Sequence, residues 1–160
     1  MNYDVWGGWS TNVGPNSPLN DTCAADRDKE GSAVSAVDSW GRAGFPREQM
    51  ILGVASYGHS FHVNTSSAYD KTGAVKLYAY FHPWMQPAGD KWDSTAVGVD
   101  VCGNPNVVGG IFHFWGLIDA GFLSSDGMAA SGISYRFNKC AKTVCNLILI
   151  GVMADSLMII

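Results

Sequence analysis

The stretch Met50-Ile51-Leu52-Gly53-Val54-Ala55, followed at once by Ser56-Tyr57-Gly58-His59-Ser60-Phe61-His62, decides how this 160-residue chain is read. The first six residues are a continuous apolar run too short for a helix, the pattern of a strand covered on both faces. The next seven turn polar and aromatic, as a strand does where it exits toward a pocket rim. Upstream, Ser32 is placed to cap a helix whose Ala33, Val34, Val37 and Trp40 share one face, and Gly44 before Phe45-Pro46 stops it. A helix followed by a buried strand is an α/β signature.

Working outward, residues 5–31 are rich in Gly, Pro, Asn, Ser and Asp around Gly14-Pro15-Asn16-Ser17-Pro18, and read as one long loop. Loops beyond ~12 to 15 residues usually serve function, and a loop leading from a strand end into a helix lies on the site face of a barrel. Tyr3, Asp4, Trp6 and Trp9 are therefore expected at a rim, with the 56–62 segment as a second rim on the same face. From Tyr69 to Phe137 the apolar runs are short and broken by Pro87, Gly89, Gly103, Pro105, Gly109-Gly110, Gly121 and Gly127, which suits an α+β or mostly β subdomain.

A hydrophobic fraction of 47% suits one domain with a core, and a net charge of -4 without a basic patch makes nucleic acid a poor partner. The four cysteines show no paired CxxC and the four His lack metal-ligand spacing, so no metal and no cofactor is expected. The sequons at Asn20 and Asn64, with the cysteines, favour an extracellular setting, although Met1-Asn2-Tyr3-Asp4 shows no signal peptide. Four cysteines allow three pairings, of which Cys23 with Cys102 is one. The tail from Leu147 is strongly apolar but, at 14 residues, short of the ~20 that span a bilayer, so a membrane is not expected as a partner. It reads either as a buried strand or helix or as a sticky end.

The chemistry is constrained by scarcity. The chain has only two Glu, Glu30 and Glu48, both in charged or turn-like settings that read as solvated. Asp4, in an aromatic setting at a strand end, is the one carboxylate that reads as a site residue, with a loop cap as its alternative. Tyr57 and His59 could donate hydrogen bonds from the second rim. Trp6, Trp9, Trp84, Trp92 and Trp115 are stacking platforms for sugar rings or core residues. No Gly-x-Ser-x-Gly elbow is present.

Met1-x-Tyr3-Asp4 followed by Trp6, then Leu52-Gly53-Val54-x-Ser56-Tyr57-Gly58, resembles the fungal-type family 18 glycoside hydrolases, the chitinases. Phe112-x-Phe114-Trp115-Gly116-Leu117-Ile118-Asp119 and Gly132-Ile133-x-Tyr135-Arg136-Phe137 resemble the insertion domain these enzymes carry between barrel strands seven and eight. The likeness runs from Met1 to about Cys140. It implies part of a (β/α)8 TIM barrel, namely the end of strand six, a helix and strand seven, plus an α+β insertion domain. It further implies an extracellular hydrolase of β-1,4-linked N-acetylglucosamine in which the substrate's own acetamido oxygen attacks, with retention. On that basis chitin or a chito-oligosaccharide is the expected partner. Tyr3 would bond the acetamido group, Asp4 that sugar or its neighbour, and Met1 would line the pocket. Tyr57 would lie near the bound chain, His59 stands where many members have Arg, and Trp6 and Trp115 would border the cleft.

The family's general acid closes a DxxDxDxE motif, and no such motif occurs in these residues. The sequence thus reads as an interior slice of a chitinase, with no catalytic residue and inactive alone, the alternative being a non-catalytic chitin-binding protein. Its expected parts are a partial barrel segment over 1–68, an insertion subdomain over 69–139 and a divergent apolar tail over 140–160. Of these, 69–139 is expected to fold on its own while 1–68 stays loosely held.

Overall fold

In a computed structural model of the chain, all residues are described except 94–97, 100, 106–107, 151–153 and 160, and side chains are described only up to Cys145. The regular elements are α1 (Ala33–Arg42), β1 (Tyr57–His62), α2 (Thr65–Ala68), β2 (Ile111–His113), α3 (Phe114–Asp119), β3 (Ser134–Asn138), β4 (Thr143–Ile150) and β5 (Ala154–Ile159).

Helix α1 forms where its local signals put it. Ser32 Oγ accepts the Ser35 amide at 3.1 Å, and Ser35 Oγ accepts the Ser32 amide at 2.8 Å, a reciprocal cap that satisfies donors the first turn cannot pair internally. At the other end Gly44 takes a φ of 90°. The expected buried face is not covered: only Ala33 is buried, and Trp40 is 62% exposed against Phe45.

The expected strand over 50–55 requires correction. Its one sheet contact is an isolated parallel bridge between Val54 and Asn2, with the Asn2 amide donating to Gly53 O at 2.8 Å. Ile51 is 95% exposed and Val54 67%. Without a neighbouring strand on each side, an apolar run has neither backbone partners nor cover, and propensity alone does not make it a strand. The strand begins instead at Tyr57.

β1 enters a five-stranded antiparallel sheet of order β2-β1-β5-β4-β3. The tail supplies β5, which lies between β1 and β4 with Phe61 opposite Leu157 and Leu147 opposite Leu157 in the next pairing. Tail residues Gly151, Val152, Met153 and Ile160 lie outside the described residues. One face of the sheet covers the main core of Val13, Phe61, Val63, Ala68, Val75, Ala79, Phe81 and Cys145, drawn from all three segments of the chain. A second cluster of Phe112, Leu117 and Leu123 sits beneath α3. In the main core, burial pushes the Cys145 thiol up to about 12, so it stays protonated.

The long loop of residues 5–31 contains one 3₁₀ turn at Asp26–Asp28 and is packed rather than loose. Gly14 has to be glycine, since a Cβ there would lie 2.0 Å from the Trp6 ring. The disulfide joins Cys23 to Cys140, with Cα atoms 5.7 Å apart, and so corrects the pairing of Cys23 with Cys102. The cause is visible in the backbone: the Leu19 amide donates to Ala141 O at 2.9 Å, laying the loop along the turn that follows β3. Cys102 lies in an exposed turn elsewhere. Among the described residues no helix is long and apolar enough to cross a membrane, and no group of three or more His, Cys, Asp or Glu could hold a metal ion.

Candidate functional site

The start of the chain lies across the 14–18 turn. Asn2 is buried and its Nδ2 donates to Ser17 Oγ at 3.2 Å and Pro18 O at 3.1 Å, while Ser17 Oγ donates back to Asn2 O. This lock sets Asp4 in a left-handed conformation with φ of 55°, which Asp tolerates better than most residues. Asn16, 1% exposed, holds that conformation: its Oδ1 accepts the Asp4 amide at 2.9 Å, its carbonyl accepts the Val5 amide, and its Nδ2 donates to Tyr57 O at 2.9 Å. One buried amide thereby fixes the loop to the first residue of β1.

The result is a cluster on the sheet's rim. Asp4 Oδ1 accepts the Tyr57 hydroxyl at 2.6 Å and lies 2.9 Å from His59 Nε2, which donates when that nitrogen carries the proton. Tyr57 and His59 are two apart on β1 and so project to the same face. Burial, followed by the hydrogen bond and charge of Asp4, pushes the Tyr57 hydroxyl well above its usual pKa, so it remains a donor. Tyr3 packs edge-on to Tyr57, and Trp9 edge-on to His59. Beyond His59 opens a pocket of about 510 Å³ lined by Trp9, Trp84, Gln86 and Gly109, where Trp84 is 93% exposed. Gln86 Nε2 donates to Ser60 O at 2.9 Å, fixing the pocket floor to β1. Flat apolar faces beside a fixed acceptor and a fixed hydroxyl can hold a pyranose by stacking and hydrogen bonding.

Of the residues expected at the site, the structure brings together Tyr3, Asp4, Tyr57 and His59. Trp6 is elsewhere: it is 3% exposed and packs on Tyr78. Met1 lines a different cleft, beside α1, with Val37, Trp40 and Leu52. Trp115 stacks on His113, on the neighbouring strand. Asn20 is half-buried, its Oδ1 accepting the Thr22 amide at 3.1 Å, and Asn64 is exposed at the start of α2. Asn16 escaped the sequence reading; the signal was an Asn in a Gly-Pro-Asn-Ser-Pro turn, whose side chain can stand in for backbone.

Among the described residues, no second carboxylic acid joins this cluster to donate a proton. Cys23-Ala24-Ala25-Asp26-Arg27-Asp28-Lys29-Glu30 carries the last three acidic positions of the DxxDxDxE spacing, but Asp26 and Glu30 lie exposed on a surface turn whose Cys23 is tied to Cys140. The Lys29 hydrogen bond and charge hold Asp26 below its usual pKa, the reverse of what a general acid needs. Glu30 and Glu48 are exposed.

The sequence profile of the glycosyl hydrolases family 18 matches residues 1–112. A chitinase-like effector of Moniliophthora roreri is 53% identical over 145 residues, covering 89% of this chain and 35% of the relative. A probable endochitinase of Caenorhabditis elegans is 38% identical over 90 residues, 56% of this chain and 14% of that protein. Among solved structures, a chitinase from Rhizomucor miehei superposes with a TM-score of 0.77 at 26% identity, over 99% of this chain and 40% of that one. A family 18 chitinase from Cycas revoluta in complex with (GlcNAc)3 shares the fold with a TM-score of 0.58 at 16% identity, over 99% and 33%. The chain spans about a third of the length of the curated fungal relatives it matches. Its structure is a partial α/β fragment with few strands, similar to enzymes of a TIM-barrel family, and the chain belongs to family 18 of the glycosyl hydrolases.

Proposed function

We propose that this chain carries the sugar-gripping part of a chitinase-type site and binds chito-oligosaccharides or chitin without cleaving them as a separate polypeptide. The observation that carries the reading is the Asp4 carboxylate, oriented by Tyr57 and His59 through one oxygen and 45% exposed. The carboxylate can accept a ligand's N–H or O–H, and Trp9 and Trp84 supply flat faces in the pocket beyond His59. A carboxylate held as an acceptor by two donors is suited to orient an acetamido sugar. Proton delivery to a leaving group is another role, for which neither Glu is placed.

Several features support this assignment. The Cycas revoluta relative was solved with (GlcNAc)3, and the fungal relatives are chitinase-like effectors, a description compatible with binding in the absence of turnover. Hydrolysis of β-1,4-N-acetylglucosamine linkages with substrate assistance would be the activity of an assembly that also contains a DxxDxDxE segment. Within the same reading, residues 69–139 are the insertion subdomain and 1–68 a partial barrel segment, and the protein acts outside the cell.

Titration with N,N′,N″-triacetylchitotriose, followed by tryptophan fluorescence, tests the reading. Saturable binding that falls about tenfold or more in Asp4→Ala is expected, on the scale of a lost hydrogen bond to a charged group. A fluorogenic chitobioside should release no fluorophore. Absence of binding overturns the site, and turnover by the purified chain overturns the non-catalytic assignment.

A further inference from the structure

The sequon Asn64-Thr65-Ser66 plays no part in the sugar-binding cluster. It occupies the corner where β1 gives way to α2, and all three of its residues are exposed. The Asn64 carbonyl accepts the Ser67 amide at 2.8 Å, which fixes the main chain of the corner. Its side chain does not cap the helix, although Asn is among the preferred caps. Among the described residues neither the Asn64 side-chain amide nor the Ser66 hydroxyl has a partner.

The other sequon, Asn20-Asp21-Thr22, is folded into its surroundings. Asn20 is half-buried with Oδ1 on the Thr22 amide, and Asp21 Oδ1 accepts the Ser32 hydroxyl at 2.7 Å beside the α1 cap. Cys23 follows at once and is tied to Cys140. A glycan is bulky and needs open space around its Asn, which Asn64 has and Asn20 lacks.

Place in the sheet says what a glycan at Asn64 would do. β1 runs from Tyr57, beside Asp4, to His62 about 17 Å further on, so Asn64 stands at the far end from the sugar site. The tail turns back at that same end. His62 is opposite Ser156, and the β4–β5 ladder continues two pairs beyond it, to Ile150 opposite Ala154. The chain entering that turn reads Leu147-Ile148-Leu149-Ile150, a strongly apolar run. Apolar strand ends invite association between molecules, and a hydrated glycan beside them blocks close approach.

We propose that Asn64 carries an N-linked glycan that screens the apolar end of the β4–β5 hairpin and leaves the Asp4 site open. The inference rests on the reading that the protein acts outside the cell. The sugar donor is a lipid-linked oligosaccharyl diphosphate. Asn64 Nδ2 forms a bond to the anomeric carbon of its first N-acetylglucosamine, the bond from that carbon to the diphosphate oxygen breaks, the lipid diphosphate leaves, and Nδ2 gives up one proton to a base of the transferase.

The full chain, exported from yeast behind a cleavable leader, is treated with peptide N-glycosidase, which converts a glycan-bearing Asn to Asp, and its peptides are read by mass spectrometry. Conversion is expected at position 64. Asn64→Gln and Ser66→Ala break the sequon at either end without disturbing a packed side chain. Each should abolish the glycan and lower the soluble yield several-fold, with unchanged affinity for N,N′,N″-triacetylchitotriose, while Asn20→Gln should keep the glycan. A bare Asn64 in the exported chain, or a glycan lost only with Asn20→Gln, overturns the site, and equal soluble yields overturn the screening role. In the organism that makes the protein, extracellular chain with Asn64 bare overturns this inference alone, whereas chain found only inside cells overturns the extracellular reading with it.

Discussion

Residues 50–55 and strand β1, Tyr57–His62, are neighbours in the chain and opposites in the fold. The first is the more apolar, yet Ile51, Leu52 and Val54 are 95%, 45% and 67% exposed. The second alternates polar and aromatic residues, yet Ser60, Phe61 and His62 are 2%, 1% and 9% exposed. The difference lies in the partners. β1 has β2 on one edge and β5 on the other, whereas the upstream run has a single bridge to Asn2. Hydrophobicity supplies a tendency to be covered, and pairing determines which residues are. An exposed run of this kind beside the cleft lined by Trp40 and Phe45 is a surface prone to association.

The largest expected effect breaks the comparison directly. Phe61→Ala should cost about 3–5 kcal/mol of unfolding free energy as a large core truncation, while Leu52→Ala should change it by no more than about 0.5 kcal/mol, both read from denaturant melts. Similar losses for the two would mean that the upstream run is covered after all. Breaking the Cys23–Cys140 bond by double Cys→Ser substitution should cost about 2–4 kcal/mol, and a melt that does not move would show that packing alone holds the loop to the sheet.

A smaller effect concerns α1, which borders the bare run and has little burial to stabilise it. Ser32→Ala should lower stability by about 1 kcal/mol, and a helix that ignores the change would have to be held by its face rather than by its end. The smallest is electrostatic. Thr72, through its side chain and amide, leads the Ala74 amide and Arg136 in holding Asp70 down to about 2 against a weaker effect of burial. Because the folded pKa is depressed, the stabilisation is complete above the ordinary carboxylate value of about 3.9 and fades as pH falls through about 2. An NMR titration of Asp70 should show this, and Thr72→Val should move the midpoint upward.

How much could be read in the sequence follows the same division between local and distant causes. Ser32 and Gly44 bound α1 because caps act within a turn of themselves. The long loop and the strand exit already put Tyr3 and Asp4 on the same face as Tyr57 and His59, but nothing in a spacing of more than fifty residues says that Asp4 meets Tyr57. Asn16 was illegible for a related reason: it is an ordinary turn residue until the strand it braces is in place. The tail was readable as a strand or a helix, but its position between β1 and β4 depends on register with distant segments. The partner of Cys23 was beyond reach, because the Leu19 to Ala141 backbone contact that selects it is itself non-local.

That disulfide has a consequence for synthesis. Cys23 and Cys140 are 117 positions apart, which at ribosomal rates of ~5–20 residues per second separates their emergence by ~6–23 s. Cys102 leaves the ribosome in between and can pair with Cys23 before Cys140 emerges. Production of the native bond therefore depends on exchange chemistry that can undo an early mispairing, and yield in a host lacking a disulfide isomerase should suffer before any intrinsic instability of the fold does.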